Sequence, residues 1–321
     1  MTMKTIAKET LRHCCLVVGR NNLYRASRFL MHAARGDIAN NPLSNGETMV
    51  QEVALRTAIP PATILDVGAN VGEWTGDLLA ISSDLHIPSR VYSFEPCLET
   101  FALLSARVGK WPNVTLINEA CSRRPGTGII HVYGSGFGTN SLAEPIDDHR
   151  SVSEEVHLTT IDLYCEANAI KKIDLLKIDA EGHDFEVIAG ASEMLARQAV
   201  RILQFEYNQR WIGSRNYLRD VFSYLTPKGY AIGKLTDQQV EFYPYWKWEL
   251  ETYTEGNYVA CLQHDMQQFL CCEPTWLSFS QDCLIRPKAY AAESTPGVIC
   301  SEAIQKDITH DTGKGKRLSA R

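Results

Sequence analysis

Thr63-Ile64-Leu65-Asp66-Val67-Gly68-Ala69-Asn70-Val71-Gly72-Glu73-Trp74-Thr75 decides how the rest of the chain is read. Ile64, Leu65 and Val67 make a short apolar run with β-branched members, the mark of a buried strand. Gly68 and Gly72 permit a tight turn and a close backbone approach to a ligand, and a helix begins after them. Asp66 stands near the carboxyl end of the strand, the edge at which open α/β sheets bind ligands.

Working outward, the next apolar strand, Arg90-Val91-Tyr92-Ser93-Phe94-Glu95-Pro96, also ends on a carboxylate, Glu95. A doubly wound fold places there the residue that accepts hydrogen bonds from a ribose diol. Dinucleotide folds use G-x-G-x-x-G so that backbone amides can cradle a pyrophosphate. This turn is G-x-x-x-G, with Asn70 where a glycine is expected, and Asp66 would repel a phosphate. S-Adenosylmethionine carries a ribose, an adenine, an ammonium and a sulfonium but no phosphate, and fits the pair of acids better than NAD does. Asp66, Gly68, Asn70, Gly72 and Glu95 are therefore the first cofactor-binding candidates. Asn118, Glu119 and Ala120, at the end of the third strand, are the adenine-pocket candidates, since an Asn can read a base edge; a plain strand-end turn is the alternative.

The 321 residues suffice for one large domain with extensions or for two small domains, with 45% hydrophobic and 22% charged residues as in soluble globular proteins. A net charge of −6 gives no basic stripe for nucleic acid. The ten cysteines form no C-x-x-C and no zinc pattern, and read as reduced thiols of a cytoplasmic protein. No apolar run is long enough to span a membrane. The first 35 residues hold seven Lys/Arg and the single acid Glu9. That allows a weak membrane-surface association, but a basic helix packed on the domain is the favoured reading.

Strands are expected at 63–67, 91–95, 113–118, 128–133, 173–179, 200–207, 230–235 and 257–262, with helices between most of them. This alternation predicts an α/β fold with a doubly wound, mainly parallel sheet, the last two strands pairing as an antiparallel edge hairpin. Gly134-Ser135-Gly136-Phe137-Gly138-Thr139-Asn140-Ser141 reads as a flexible loop. Ser141 there is a candidate for touching the donor's carboxylate or for a lid over the acceptor, a mobile surface loop being the alternative. Residues 1–44 read as an N-terminal helical extension, 45–264 as the catalytic domain, and 265–321 as a partly disordered C-terminal extension.

Asp66-Val67-Gly68-Ala69-Asn70-Val71-Gly72, Phe94-Glu95-Pro96 and above all Leu175-Leu176-Lys177-Ile178-Asp179-Ala180-Glu181-Gly182-His183, completed by Gly190, resemble the FkbM family of S-adenosylmethionine-dependent methyltransferases. The likeness covers roughly residues 45 to 262; Ala180 replaces the family's usual valine. The resemblance implies a Rossmann-like class I methyltransferase fold and O-methylation of a small-molecule hydroxyl, on a sugar or glycoconjugate or on a polyketide-type acceptor.

Methyl transfer from a sulfonium needs alignment of two reactants, exclusion of water and a group that takes the hydroxyl proton. Asp179, Glu181 and His183 are the catalytic candidates, with Asp179 or His183 as base and Glu181 orienting it or holding the acceptor. Helix capping and a backbone-satisfied histidine are the structural alternatives. The same trio has the donor chemistry of a divalent-cation site; with no further carboxylate cluster visible, no metal is assigned. Lys177 is expected to pair with a carboxylate. Glu206 ends the following strand and is a possible acceptor contact, and Tyr243, Tyr245, Trp246 and Trp248 offer aromatic faces for a sugar ring or a hydrophobic cluster. A Rossmann-like binding or scaffold protein without chemistry is the competing class.

Overall fold

In the computed structural model, which describes residues 5, 9–10, 15, 17–35, 37, 45–134, 138, 140–144, 151–236, 239–272 and 277, the apolar runs become strands of one central sheet. In chain order these are β1 (Ala62–Val67), β2 (Ser89–Phe94), β3 (Val114–Ile117), β7 (Ile173–Ile178), β8 (Val200–Tyr207), β9 (Tyr230–Leu235), β10 (Val240–Tyr243), β11 (Gly256–Leu262) and β12 (Cys271–Cys272). Their order in the nine-stranded sheet is β12-β10-β9-β11-β8-β7-β1-β2-β3. The block β8-β7-β1-β2-β3 is parallel throughout, and β1 lies at its middle, between β7 and β2.

Because successive strand side chains point to opposite faces, each parallel strand feeds two cores. Ile64, Leu175 and Ile202 face one core, with Ala54, Leu55, Leu78 and Leu104. These come from helices α2 (Glu47–Thr57), α3 (Glu73–Asp84) and α4 (Leu98–Val108). Leu65, Leu176 and Leu203 face the other core, closed by α5 (Ile161–Ala167), α6 (Asp184–Ala189), α7 (Ser192–Ala196), α8 (Trp211–Ser214) and α9 (Leu218–Leu225). The result is a doubly wound α/β fold, with helices on both faces of a mainly parallel sheet.

Three features depart from the expected layout. β9 and β11 do pair antiparallel, but β11 is inserted between β8 and β9 and pairs antiparallel with β8 as well. The edge is built by β10 and β12, so residues just beyond 264 still extend the sheet. The strand expected at 128–133 does not join this sheet: β5 (Gly126–Val132) pairs with β6 (Val152–Thr159) and, with β4 (Ala120–Cys121), forms a separate three-stranded sheet. Finally, α1 (Arg20–Ala34) is not packed on the domain; none of its residues is buried.

No helix among the described residues is long and apolar enough to cross a membrane. The seven cysteines among them are all free. The expected disorder of the tail beyond residue 277 falls outside the described residues.

Candidate active site

The register of the sheet builds the site in two rows on one face. Asp66, Lys177 and Gln204 are side-by-side partners on β1, β7 and β8. Two residues further along the same strands come Gly68, Asp179 and Glu206, with Asn257 of β11 opposite Glu206. Parity therefore brings the two rows to the same face, where the sheet passes from apolar to polar at its carboxyl edge.

The inner row is a buried charge network. Lys177 Nζ lies 3.4 Å from Asp66 Oδ1 and 3.3 Å from Asp179 Oδ2. Asp66 Oδ2 also accepts from Thr75 Oγ1 at 2.6 Å. The amino end of α2 closes the row: Glu47 Oε1 accepts from Gln204 Nε2 at 2.7 Å, and Glu47 Oε2 accepts from Asn45 Nδ2 at 2.9 Å. Burial works against the Lys177 charge, but Asp179, Asp66 and Glu47 outweigh it and hold its pKa above the usual lysine value.

The outer row opens into a cleft of about 750 Å³ walled by Gly68, Asn70, Glu95, Asp179, Glu181 and Glu206, among others. That volume suits a small-molecule site. At one end is the glycine turn. Gly68 has φ +78°, and a Cβ there would lie 1.9 Å from the Asp179 carbonyl oxygen, so this position must be glycine for β1 and β7 to end together. Glu95 pins the turn, accepting from Asn70 N at 3.1 Å and from Cys97 N at 3.0 Å. Burial pushes its carboxyl up to about 7, against the pull of those two donors. Asn70 Oδ1 is buried without a hydrogen-bond partner among the described residues.

Beside the turn three carboxylates converge. One oxygen from each of Asp179, Glu181 and Glu206 lies within 4.8 Å of the others, a donor set able to hold a divalent cation. It differs from the Asp/Glu/His trio read in the sequence because His183 turns away and shares a hydrogen bond with Ser122 Oγ at 2.9 Å. Each carboxylate in the cluster already has a partner: Lys177 for Asp179, Arg210 and Asn208 for Glu181, Asn208 for Glu206. Burial, reinforced by Asp179, pushes Glu181 up to about 8 despite Arg210. Burial also drives Glu206 well above the usual range and His183 down to about 4. Asp184 holds the loop itself, accepting from Ala180 N and Gly182 N at 3.3 and 3.0 Å.

Among the sequence candidates, Gly68, Asn70, Glu95, Glu119, Ala120, Ser141, Asp179, Glu181 and His183 all line the cleft. Three are not among its walls. Asp66 is fully buried behind the turn, spent on Lys177 and Thr75. Gly72 caps α3 and packs on α4, where a Cβ would lie 2.7 Å from Leu104 Cδ1. Asn118 stands behind the wall and donates to the Glu95 and Pro96 carbonyls, both at 2.9 Å. Ser141 donates to the Glu181 carbonyl at 2.6 Å, so its hydroxyl ties the glycine loop to the carboxylate loop. Tyr243, Tyr245, Trp246 and Trp248 are not among the cleft's walls; Trp246 Nε1 donates to Glu251.

Glu47, Asn208, Arg210 and Asn257 were not singled out from the sequence. Arg210 and Asn208 carry a faint signal, lying four and two residues past the strand-end acid Glu206. Glu47 has none, because it meets Lys177 only through the tertiary fold.

The chain matches the family model described as the methyltransferase FkbM domain over residues 66–232. Hexuronic acid methyltransferase AglP of Haloferax volcanii is 30% identical over 159 residues, 47% of this chain and 58% of that protein. The match thus spans less than two thirds of that relative's length. Among solved structures the chain is similar to the SAM-dependent methyltransferase of Agrobacterium tumefaciens, with 10% identity, 70% of this chain and 62% of that chain covered, and a TM-score of 0.38. It is similar also to SMU.1697c of Streptococcus mutans, solved in complex with SAH, with 9% identity, 70% and 99% covered, and a TM-score of 0.38.

Proposed function

Because this chain belongs to the FkbM methyltransferase family, we propose that it is an S-adenosylmethionine-dependent O-methyltransferase acting on a hydroxyl of a sugar or glycoconjugate. The observation that carries the reading is the cleft's division into two chemistries. The glycine turn offers a carboxylate and an amide oxygen without a partner among the described residues, and the adjoining wall offers clustered carboxylates.

The turn fits the cofactor. Gly68 keeps the approach free of a Cβ, Glu95 can accept from a ribose diol, and Asn70 Oδ1 needs a donor such as an ammonium. S-Adenosylmethionine supplies a methyl group already activated on a sulfonium. Asp179 takes the proton of the acceptor hydroxyl. Glu181, pushed up to about 8, keeps its proton at neutral pH and donates to an acceptor oxygen, while Arg210 and Asn208 fix its position. His183 is held on Ser122 and orients the loop.

A saccharide acceptor is supported by the relative named for hexuronic acid. A hydroxyl rather than a carboxyl is favoured as the methylated group, since an acceptor carboxylate there would meet the like charge of the Asp179 carboxylate. Transfer of labelled methyl to a panel of free and lipid-linked saccharides tests this. A wild-type chain that binds no S-adenosylhomocysteine would overturn it.

The pH dependence of donor binding gives a sharper check. Glu95 and Asp184 are pushed up to about 7 and Glu181 to about 8. All three bind protons more tightly folded than unfolded. The stability they contribute is full below the ordinary carboxylate range and is lost as pH rises through 7 to 8. A ribose diol, by contrast, favours the charged form of Glu95. Between about pH 6 and about pH 8 the unfolding free energy should fall while S-adenosylhomocysteine affinity rises up to about tenfold. Paired calorimetric titrations and urea melts measure both trends. In Glu95→Gln the affinity trend should vanish; a trend that survives would remove Glu95 from the donor site.

A further inference from the structure

Helix α1 is a surface that the methyltransferase reading leaves unused. Its fifteen residues, RNNLYRASRFLMHAA, contain three arginines, one histidine and no acid, on a chain whose net charge is −6. At 3.6 residues per turn, Arg28, Asn21, His32 and Arg25 fall within a sector of about 60°. Leu23, Tyr24, Phe29, Leu30, Met31 and three alanines fill most of the remaining circumference, interrupted by Arg20, Asn22 and Ser27. None of these apolar side chains belongs to any hydrophobic core. Tyr24 is 62%, Phe29 72% and Leu30 66% exposed, and Val17 and Val18 continue the exposed apolar run.

The root of the helix is fixed. Asp37 pairs with Lys234 of β9, with His32 and with Arg35, and Arg35 donates to Thr252 at 3.1 Å. The helix is thus tethered at its carboxyl end, with its apolar circumference left uncovered.

We infer that α1 lies in the surface of an anionic phospholipid bilayer. A wide apolar arc beside a narrow cationic sector is the pattern of an interfacial helix: the apolar side chains enter the acyl boundary, and the arginines meet lipid phosphates. Tyr24 is of the aromatic type enriched at that depth, and Phe29 and Leu30 are of the type that an interfacial helix buries. A second copy of the chain is the less suitable occupant, because pairing through the apolar arcs would leave the arginine sector of each helix pointing away from the contact, whereas an anionic bilayer surface meets both the apolar arc and the arginines.

Flotation of the full chain with vesicles of phosphatidylcholine, alone or mixed with phosphatidylglycerol, tests the inference. Binding should require the anionic lipid and weaken with salt. Arg25→Gln with Arg28→Gln should lower partitioning about thirtyfold. Phe29→Asp with Leu30→Asp should lower it more than about a hundredfold. Both variants should bind S-adenosylhomocysteine as the wild type does, since nothing in α1 is buried. Equal flotation with both vesicle types, or undiminished binding by Phe29→Asp with Leu30→Asp, overturns the inference. So does a wild-type dimer that this variant converts to monomer without any vesicle binding.

Discussion

Asp179→Asn is expected to lower methyl transfer about a thousandfold while S-adenosylhomocysteine binds as before. A positioned base contributes about 10² to 10⁴ in rate, and the amide keeps the size of the acid and one acceptor oxygen but cannot take a proton. Asp179 is the carboxylate best placed for this. Its side chain is 37% exposed, on the cleft wall beside the glycine turn. Burial, reinforced by the charge of Asp179, raises Glu181 and Glu206 above the ordinary carboxylate range. His183 shares its Nε2 with Ser122, so His183→Ala should cost less than about tenfold in turnover. Single-turnover transfer from labelled S-adenosylmethionine, run beside calorimetry with S-adenosylhomocysteine, separates chemistry from donor binding. An Asp179→Asn enzyme with wild-type turnover would end the assignment, and a larger loss in His183→Ala would move the base to the histidine.

The strand-end acids were legible because the β period is two and ligands gather at the carboxyl edge. Glu95, Asp179 and Glu206 each follow an apolar run, and each reaches the cleft. Asp66 reads alike for the same reason. It too sits near a strand end, but it lies one row inside that edge, and the row is covered by the amino end of α2. Nothing local distinguishes an acid at the last strand position from one two residues earlier. The partner that decides, Lys177, is more than a hundred residues away. The insertion of β11 between β8 and β9 was illegible because its apolar run fits an edge pairing equally well. Likewise β5 reads as any strand; only its pairing with β6 across the glycine loop assigns it to the second sheet. The exposure of α1 was masked by its own pattern, since an amphipathic helix looks alike whether its apolar face meets a core or a bilayer.

Lys177→Met should destabilise the fold by about 3–5 kcal/mol, the cost of removing one partner from a buried ion pair. The loss falls on Asp66, which is fully buried and whose Oδ1 has no hydrogen-bond partner among the described residues, leaving the Lys177 ammonium 3.4 Å away to balance its charge. Thr75 satisfies only the other oxygen. Asp179 loses the same cation but stands at the cleft, where water can take over part of its solvation. Removing the second charge should therefore reverse much of the damage: Asp66→Asn combined with Lys177→Met leaves a neutral pair able to hydrogen-bond with Thr75, and should recover at least about half of the loss. Urea unfolding of the two single variants and the double variant yields the coupling directly. If the double variant is as unstable as the sum of the singles, the lysine does not act through Asp66, and its role reduces to placing Asp179. Turnover distinguishes these cases further. In the double variant the fold is largely restored but Asp179 has no ammonium at 3.3 Å to orient it, so kcat should stay depressed with KM for the donor near wild type. Recovery of kcat alongside stability would mean that the lysine serves only the fold.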